Sequence, residues 1–482
     1  MSIEKINRYP DYSAELEEIE KNGITTALIN RIIERHQMNA LHTRHLWGRY
    51  NGFASDVPIS TRTPRFETKN GKEINNKLAN DFFSEIVDIE TGYFAGKPIT
   101  YTYSNTEESE DVTGTEKAVD EASKALNDFV TRNNMYDLDM LTTKYTSAAE
   151  YCGRLFYIDE EGNERVKVLP PYETIVLFKN EMTEPSYGIR YYTFHDLNDQ
   201  EIIKAEFYDN AYKINYQGFV GSLEQIGEPE PHLFDYCPLQ GIPNNPEMLG
   251  SPEKVISLID SYDKILSDSA NEIESFANAY MVFENVNIKD EEITEAQATG
   301  AIRFFNGTGN GKVYFLTKDL NDAYIENKLN RLENNIYRFS KTPNFADTQY
   351  NNGSGVSLKF KLTGLETKCA MFEAKMHSAA TYMFKVLGSS FKKKKIPFDY
   401  LQAYITCKRN FPADLANEAT TAATLLGTGL PKKIVWENLS CVDDVDYALD
   451  LVEKEKDGIP DLDENIPEDN KDDKIDKIDL KS

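Results

Sequence analysis

The chain is poor in the residues that mark disulfide-built, metal-built and membrane-spanning proteins. Its 482 residues include five cysteines, six histidines and two tryptophans. Cys152, Cys237, Cys369, Cys407 and Cys441 are widely spaced and form no C-x-x-C pair. That spacing excludes a zinc ribbon and a disulfide framework, and it fits a reducing cytoplasm. No apolar run reaches the roughly 18 residues a membrane-spanning helix needs, and the N-terminus carries acids where a secretory leader has its apolar core. A soluble chain that is not exported by that route is expected. Positive charge is also scarce: 53 Lys and Arg against 80 Asp and Glu leave a formal charge of −27 and a pI near 4.7. Tight nucleic-acid binding replaces phosphate counterions with many Lys and Arg, so that class is excluded, whereas loose contact with DNA is not.

What the chain does have is helical periodicity, concentrated between residues 251 and 391. Ser251 is a good N-cap before Pro252, and Val255, Leu258, Tyr262, Ile265, Ile273, Phe276 and Tyr280 recur at three- and four-residue steps. The other face of this helix carries Glu253, Asp260, Asp263, Asp268, Glu272 and Glu274 against Lys254 and Lys264, so an anionic solvent side is expected. Leu329, Leu332, Ile336 and Phe339 mark a second helix that Pro343 ends. Leu358, Leu362, Leu365, Cys369, Phe372, Met376, Ala380 and Met383 mark a third, starting near Val356, long, with Gly364 as its likeliest kink. Residues 344–355, NFADTQYNNGSG, cannot bury themselves and read as an exposed loop.

Elsewhere, 15–50 reads mainly as helix, 75–101 as helix then strand, 105–120 as an acidic surface loop and 121–133 as helix. From Gly153 the period becomes two. Short strands are expected at 154–159, 165–169, 174–178, 187–194, 202–209 and 211–217, an antiparallel unit over about 151–216. Residues 226–250, rich in proline, read as a lead into the helical rod. Residues 301–305 and 312–316 read as a hairpin closed by NGTGNG. Three short helical stretches follow between 414 and 455, and the acidic tail from 456 is expected to be disordered.

Motifs for chemistry are weak. Gly92, Gly96 and Lys97 imitate a phosphate loop, but the glycines are one residue too close and Pro98 stands where a Ser or Thr must reach magnesium. His42 and His45 share a helix face, yet no acid is near them in sequence to complete a metal site. Asp457, Asp461, Asp463, Asn465 and Glu468 resemble a calcium loop, but Ile466 occupies the position that needs glycine. No paired acids sit beside a His or a ligand cluster, so no enzyme, no cofactor and no resident metal are expected.

Three stretches carry a resemblance. NKLANDFFSEIVDIETGYFAGKPITY from Asn76, SPEKVISLIDSYDKILSDSANEIESFANAY from Ser251 and SGVSLKFKLTGLE from Ser354 together resemble the siphophage portal family of tailed bacteriophages, in order and spacing over roughly 28–455. The resemblance implies an α+β, portal-like fold. It divides the chain into a wing (1–250, N-terminal helices plus the β-rich unit), a stem helix (251–284), a clip (285–318), a second stem helix (319–343) and a tunnel loop (344–355). A long kinked helix returning to the wing (356–396), a helical crown (397–455) and the tail (456–482) complete it. It also implies a homo-oligomeric ring of about twelve copies at one capsid vertex. Double-stranded DNA would pass through it, and its partners would be the terminase large subunit, a head-completion adaptor, and the major capsid and scaffolding proteins, with no membrane. The chain would reside in the virion, and in the host cytoplasm during assembly.

On this reading Asp347, Gln349, Tyr350, Asn351 and Asn352 touch DNA without cationic grip. Lys359, Lys361, Lys392 and Lys393 are the nearest phosphate partners, although solvated lysines past a helix end are the plainer reading. Arg303, Asn306, Asn310 and Lys312 of the clip meet partners. The acidic stem face, repeated around a ring, would repel DNA and keep it moving. Two other readings compete: a carboxylate-based nuclease, and a capsid-associated scaffold or minor head protein without a channel.

Overall fold

The computed structural model describes residues 9–64, 66–67, 73–104, 112–219, 221–276, 280–284, 291, 312–316, 322–345, 360–410, 415–437, 439, 441–442, 445, 448–449 and 451–452. Its elements mix helices and strands, as an α+β protein requires, and the chain forms two compact units, Met1–Asn410 and Phe411–Ser482.

The first unit opens with α1 (Ser13–Asn22) and α2 (Thr26–Tyr50), where one helix was expected. Gly23, at φ 74°, breaks the run, and the Thr25 hydroxyl restarts it by accepting the Leu28 amide hydrogen at 3.3 Å. A short pair, β1 (Phe66–Glu67) and β2 (Glu73–Ile74), precedes α3 (Phe82–Ala95) and β3 (Thr100–Tyr103). The helix expected from residue 75 therefore starts seven residues later, because residues 75–80 spend their hydrogen bonds on another element, described below. Next come α4 (Val112–Arg132), so that 112–120 is helix and not loop, and α5 (Met135–Ala149). α5 is hidden in the sequence by its threonines. Thr142 and Thr143 are tolerated because their hydroxyls donate back to the carbonyls of Leu138 (2.7 Å) and Asp139 (2.8 Å).

The β-rich body holds the six expected strands, here β4 (Tyr151–Ile158), β5 (Glu164–Leu169), β6 (Thr174–Leu177), β7 (Tyr187–His195), β8 (Glu201–Tyr208) and β9 (Tyr212–Phe219). Two more were concealed by the prolines and glycines of 226–250: β10 (Ser222–Pro231) and β11 (Leu239–Pro243). They form two antiparallel sheets, one in the order β10-β9-β8-β7-β6 and one in the order β11-β4-β5. The β4–β5 turn is closed by Asp159, whose carboxylate accepts the amides of Glu161 and Asn163, with Gly162 at φ 80°. Both N-terminal helices pack on the five-stranded sheet. Leu16, Ile19, Ile29, Ile32 and Ile33 meet Ile175, Ile189, Ile203 and Phe207 in one buried cluster.

The rod starts differently from its sequence pattern. Residues Glu253–Val255 form a 3-10 turn and α6 runs Ile256–Phe276. Ser251 is not its cap; its hydroxyl instead accepts from the Asn244 side chain at 3.2 Å. Nor does the stem helix reach 284. Residues 280–284, YMVFE, form β12 (Tyr280–Glu284), which pairs antiparallel with β13 (Lys312–Leu316). β13 thus has a partner other than the expected 301–305, which lies outside the described residues along with the rest of 301–311. α7 (Asp322–Ser340) packs on α6. α8 (Thr363–Lys393) spans 31 residues, roughly 46 Å, and buries Leu365, Cys369, Phe372, Met376, Ala380 and Met383, the stripe its periodicity indicates. Its expected start, 356–359, is outside the described residues, and the backbone turns at Leu362 just before Gly364. β14 (Ala403–Thr406) pairs with β3, so residues 397–410 belong structurally with the first unit.

In the second unit, α9 (Leu415–Gly427) and α10 (Lys432–Glu437) pack together, burying Ala422 and Val435. The tail from 453, with its calcium-like fragment, lies outside the described residues.

Deep in the body, His36 is fully buried, with Nδ1 2.9 Å from the Tyr191 hydroxyl and Nε2 2.8 Å from the Tyr151 hydroxyl. Burial pushes its pKa down to about 3, so it is neutral when folded. An unfolded His36 titrates near 6.5, so the folded form loses stability as pH falls from 6.5 toward 3, by about 1.4 kcal/mol per unit. Thermal melts should show that the stability advantage of the native chain over His36→Gln, measured at pH 7.5, narrows at pH 5; a constant or widening gap would refute this.

Candidate functional site

A row at four-residue steps runs from the 3-10 turn at Val255 along α6, the spacing that keeps side chains on one face. Val255 and Ile259 are buried and apolar, joining Leu46, Phe83, Ile86, Val87, Ala148 and Ile336 in one cluster. Asp263, Ser267 and Asn271 continue the row, equally buried but polar. Buried polar groups need partners, and residues 76–80 supply them. The Asn80 amide and side chain donate to Asp263 Oδ1 at 2.9 and 2.7 Å, the Leu78 amide donates to Ser267 Oγ at 2.9 Å, and the Asn76 amide donates to Asn271 Oδ1 at 2.6 Å. An extended strip of chain is thereby bound to the stem helix. Burial raises the Asp263 pKa, and the two bonds from Asn80 oppose that rise.

The neighbouring acids are also engaged. Arg49 pairs with Asp260 at 2.7 Å, Arg62 bonds Asp268, and Asn76 donates to Glu274 at 2.9 Å. The acidic face read from the sequence as solvent-facing is therefore mostly engaged within the chain, with Asp263 buried and Asp260 and Asp268 half-buried. The exposed positions early in the stem are Lys254, Ser257, Ser261 and Lys264. A repulsive acidic wall along this helix does not follow; sequence periodicity locates a polar face but not what covers it.

Beside the seam, four elements meet. The Ser251 amide donates to the Ser147 carbonyl at 2.7 Å and the Asn244 amide to the Glu150 carbonyl at 2.8 Å. A Cβ on Gly250 would lie 2.9 Å from the Ala148 carbonyl, so glycine lets the loop pass close to the end of α5. The Ser147 hydroxyl donates to buried Glu90 at 2.5 Å, and Lys368 of α8 reaches the same carboxylate at 3.1 Å. On either side of Lys368 on α8, Glu366 and Glu373 are held by Arg409 at 3.0 and 2.6 Å. The long helix is thus tied to α3 through Glu90 and to the segment carrying Arg409.

The sequence-named residues are distributed unevenly over this frame. Asp347, Gln349, Tyr350, Asn351, Asn352, Lys359, Arg303, Asn306 and Asn310 lie outside the described residues. Lys361 is exposed just before α8, and Lys392 is exposed in its last turn. Lys393 is occupied, pairing with Asp235 at 2.7 Å and donating to the Leu233 carbonyl at 2.8 Å. Lys394 pairs with buried Glu164 at 2.6 Å. Lys312 is exposed, opposite Glu284 in register. His42 and His45 do not converge: His45 meets Asp56 at 2.8 Å, while His42 meets Glu150 and Glu253, both remote in sequence. The only hint of the polar seam in the sequence was the continuation of the Val255, Ile259 row by Asp263, Ser267 and Asn271.

Two helices, α6 and α7, flanking a two-stranded insert, an extended strip bonded to the first of them, a β-rich body and one long helix define an α+β scaffold. The chain belongs to the phage portal protein family, since the family model described as "Phage portal protein, SPP1 Gp6-like" matches residues 26–460. It is similar to the portal protein of Bacillus phage SPP1, 25% identical over 384 residues (74% of this chain, 71% of that one). It is also similar to the portal protein of Clostridium phage phiCD119, 24% identical over 422 residues (80% of this chain, 86% of that one). Membership places it among tailed-phage virion proteins of the capsid that serve genome packaging.

Replacing Asp263 by Val should cost about 1–3 kcal/mol, because the Asn80 amide loses its acceptor. Amide exchange at 76–80 should then accelerate at least about tenfold, whereas Asp263→Asn, which keeps an acceptor, should leave it near native. Lys394→Gln should lower the melting temperature by removing the nearest cation from buried Glu164, which would keep only the Ser390 hydroxyl and the more distant Arg132, while Lys392→Gln should not change it.

Proposed function

We propose that copies of this chain close into a ring of about twelve at one capsid vertex and that double-stranded DNA enters and leaves through its central channel. The observation that carries this reading is the family match over residues 26–460. It is supported by the helix pair α6 and α7, which flank the expected clip (285–318), and by the 76–80 strip, which is hydrogen-bonded along α6. The clip docks the terminase large subunit during packaging and a head-completion adaptor afterwards, with Arg303, Asn306, Asn310 and Lys312 as contacts. The loop 344–355 presents Asp347, Gln349, Tyr350, Asn351 and Asn352 to the passing duplex. Lys359, Lys361 and Lys392 are the phosphate partners, with Lys393 available only if it leaves Asp235. Assembly takes place in the host cytoplasm, among the major capsid and scaffolding proteins, and the packaging energy comes from the motor.

Lubrication changes its source in this reading. Because the α6 acids are engaged within the chain, repulsion of DNA rests on the total charge of −27 per copy rather than on one helix face.

Mass measurement and negative-stain imaging of the purified chain should give a ring with a central hole at about twelve times 55.0 kDa. A 55.0 kDa monomer that capsid proteins never convert to a ring would overturn the proposal. Deleting residues 349–352 should leave rings intact and reduce the yield of DNA-filled heads, and an unchanged yield would remove the loop from the mechanism.

A further inference from the structure

Where the stem leaves the body, three potential ligands converge from three remote parts of the chain. His42 lies on α2, Glu150 directly after α5 and Glu253 in the 3-10 turn that opens the stem. His42 Nε2 is 3.2 Å from Glu150 Oε1 and 3.1 Å from Glu253 Oε1, and the three atoms all lie within 4.8 Å of one another. A tetrahedral ion with bonds of about 2.0–2.1 Å holds its ligand atoms about 3.3–3.4 Å apart, so two of the three edges already have almost that length.

The second oxygen of each carboxylate is tied down. Glu253 Oε2 accepts the Gly250 amide hydrogen at 2.5 Å, and Glu150 Oε2 accepts from the Asn39 side chain at 3.3 Å. Such outer contacts orient ligands and are typical of metal centres. Glu150 is fully buried and sits at φ 77°, a conformation rare for a side-chain-bearing residue that aims its carboxylate at His42. The His42 side chain is 30% exposed, so solvent and an entering ion reach the cluster from that side. One imidazole nitrogen and two carboxylate oxygens favour a borderline transition ion over the all-oxygen shells of magnesium and calcium.

We propose that His42, Glu150 and Glu253 form a binding site for one Zn2+-class divalent ion per chain, which pins the first turn of the stem to α2 and to the end of α5. The site is independent of the ring reading, because it lies within one chain. Its effect is mechanical: a shared ion makes the stem root and the body move together.

The test uses the full chain stripped with chelator and titrated with Zn2+ or Co2+. Wild type should bind one equivalent tightly, gain thermal stability, and give the intense visible bands of tetrahedral Co2+. His42→Ala should weaken binding by about 100-fold or more and abolish the bands, Asn39→Ala should weaken it about tenfold, and His45→Ala should match wild type. X-ray absorption on Zn2+-loaded wild type should show one imidazole with oxygen ligands, a readout that needs no variant to fold. Absence of saturable binding, full binding by folded His42→Ala, or a sulfur-bound or all-oxygen zinc would each overturn the proposal. In those cases the cluster is a hydrogen-bonded imidazole–carboxylate contact only.

Discussion

The pairing of α6 with the strip 76–80 is the constraint on which the rest of the architecture depends. Beyond Ile259 the buried row along α6 is polar, and buried polar groups have to be hydrogen-bonded rather than packed. The row Val255, Ile259, Asp263, Ser267, Asn271 changes from apolar to polar at that point, and backbone amides of the strip take over from side-chain packing. These bonds are directional, so they set the register of the strip and the direction of the stem together.

The same junction concentrates buried charge. Glu90 is shared by Ser147 and Lys368, Asp260 by Arg49, and Glu150 and Glu253 by His42. Burying carboxylates is costly unless they are paired, and each pair here links elements far apart in the chain. The cost is offset only if all the partners are in place, so the arrangement favours one relation between stem, body and long helix over looser alternatives. For a portal-family protein whose neighbours in the proposed ring must match, a stem of uniform direction is a direct requirement of symmetry.

The strands and the long helix were legible because their patterns are local. β4 to β9 are short runs rich in Tyr, Val, Ile and Phe between turn residues, and the α8 stripe repeats every three to four residues, so local side-chain patterns locate them. β10 and β11 were not legible, since Gly227, Pro229, Pro231 and Pro238 imitate a linker while neighbouring strands supply the pairing. β12 was misassigned to helix for the converse reason: Phe276 and Tyr280 are spaced as on a helix, and only β13, across a long insertion, makes 280–284 a strand. The polar seam and the His42 cluster could not be seen in advance, because the acids that meet His42, Glu150 and Glu253, are far from it along the chain.

By itself the sequence determined the class of the protein, its helical rod, its β-rich body and its family, because these rest on periodicity and on three long motif stretches that survive without knowledge of contacts. The tertiary structure alone decided what the acidic face of α6 does. A carboxylate on a helix reads as solvated until a neighbouring segment supplies amides and guanidinium groups; Asn80, Arg49 and Arg62 do so for Asp263, Asp260 and Asp268. Charge along a chain is local information, but the environment that makes a charge a lubricant or a clasp is created only by folding.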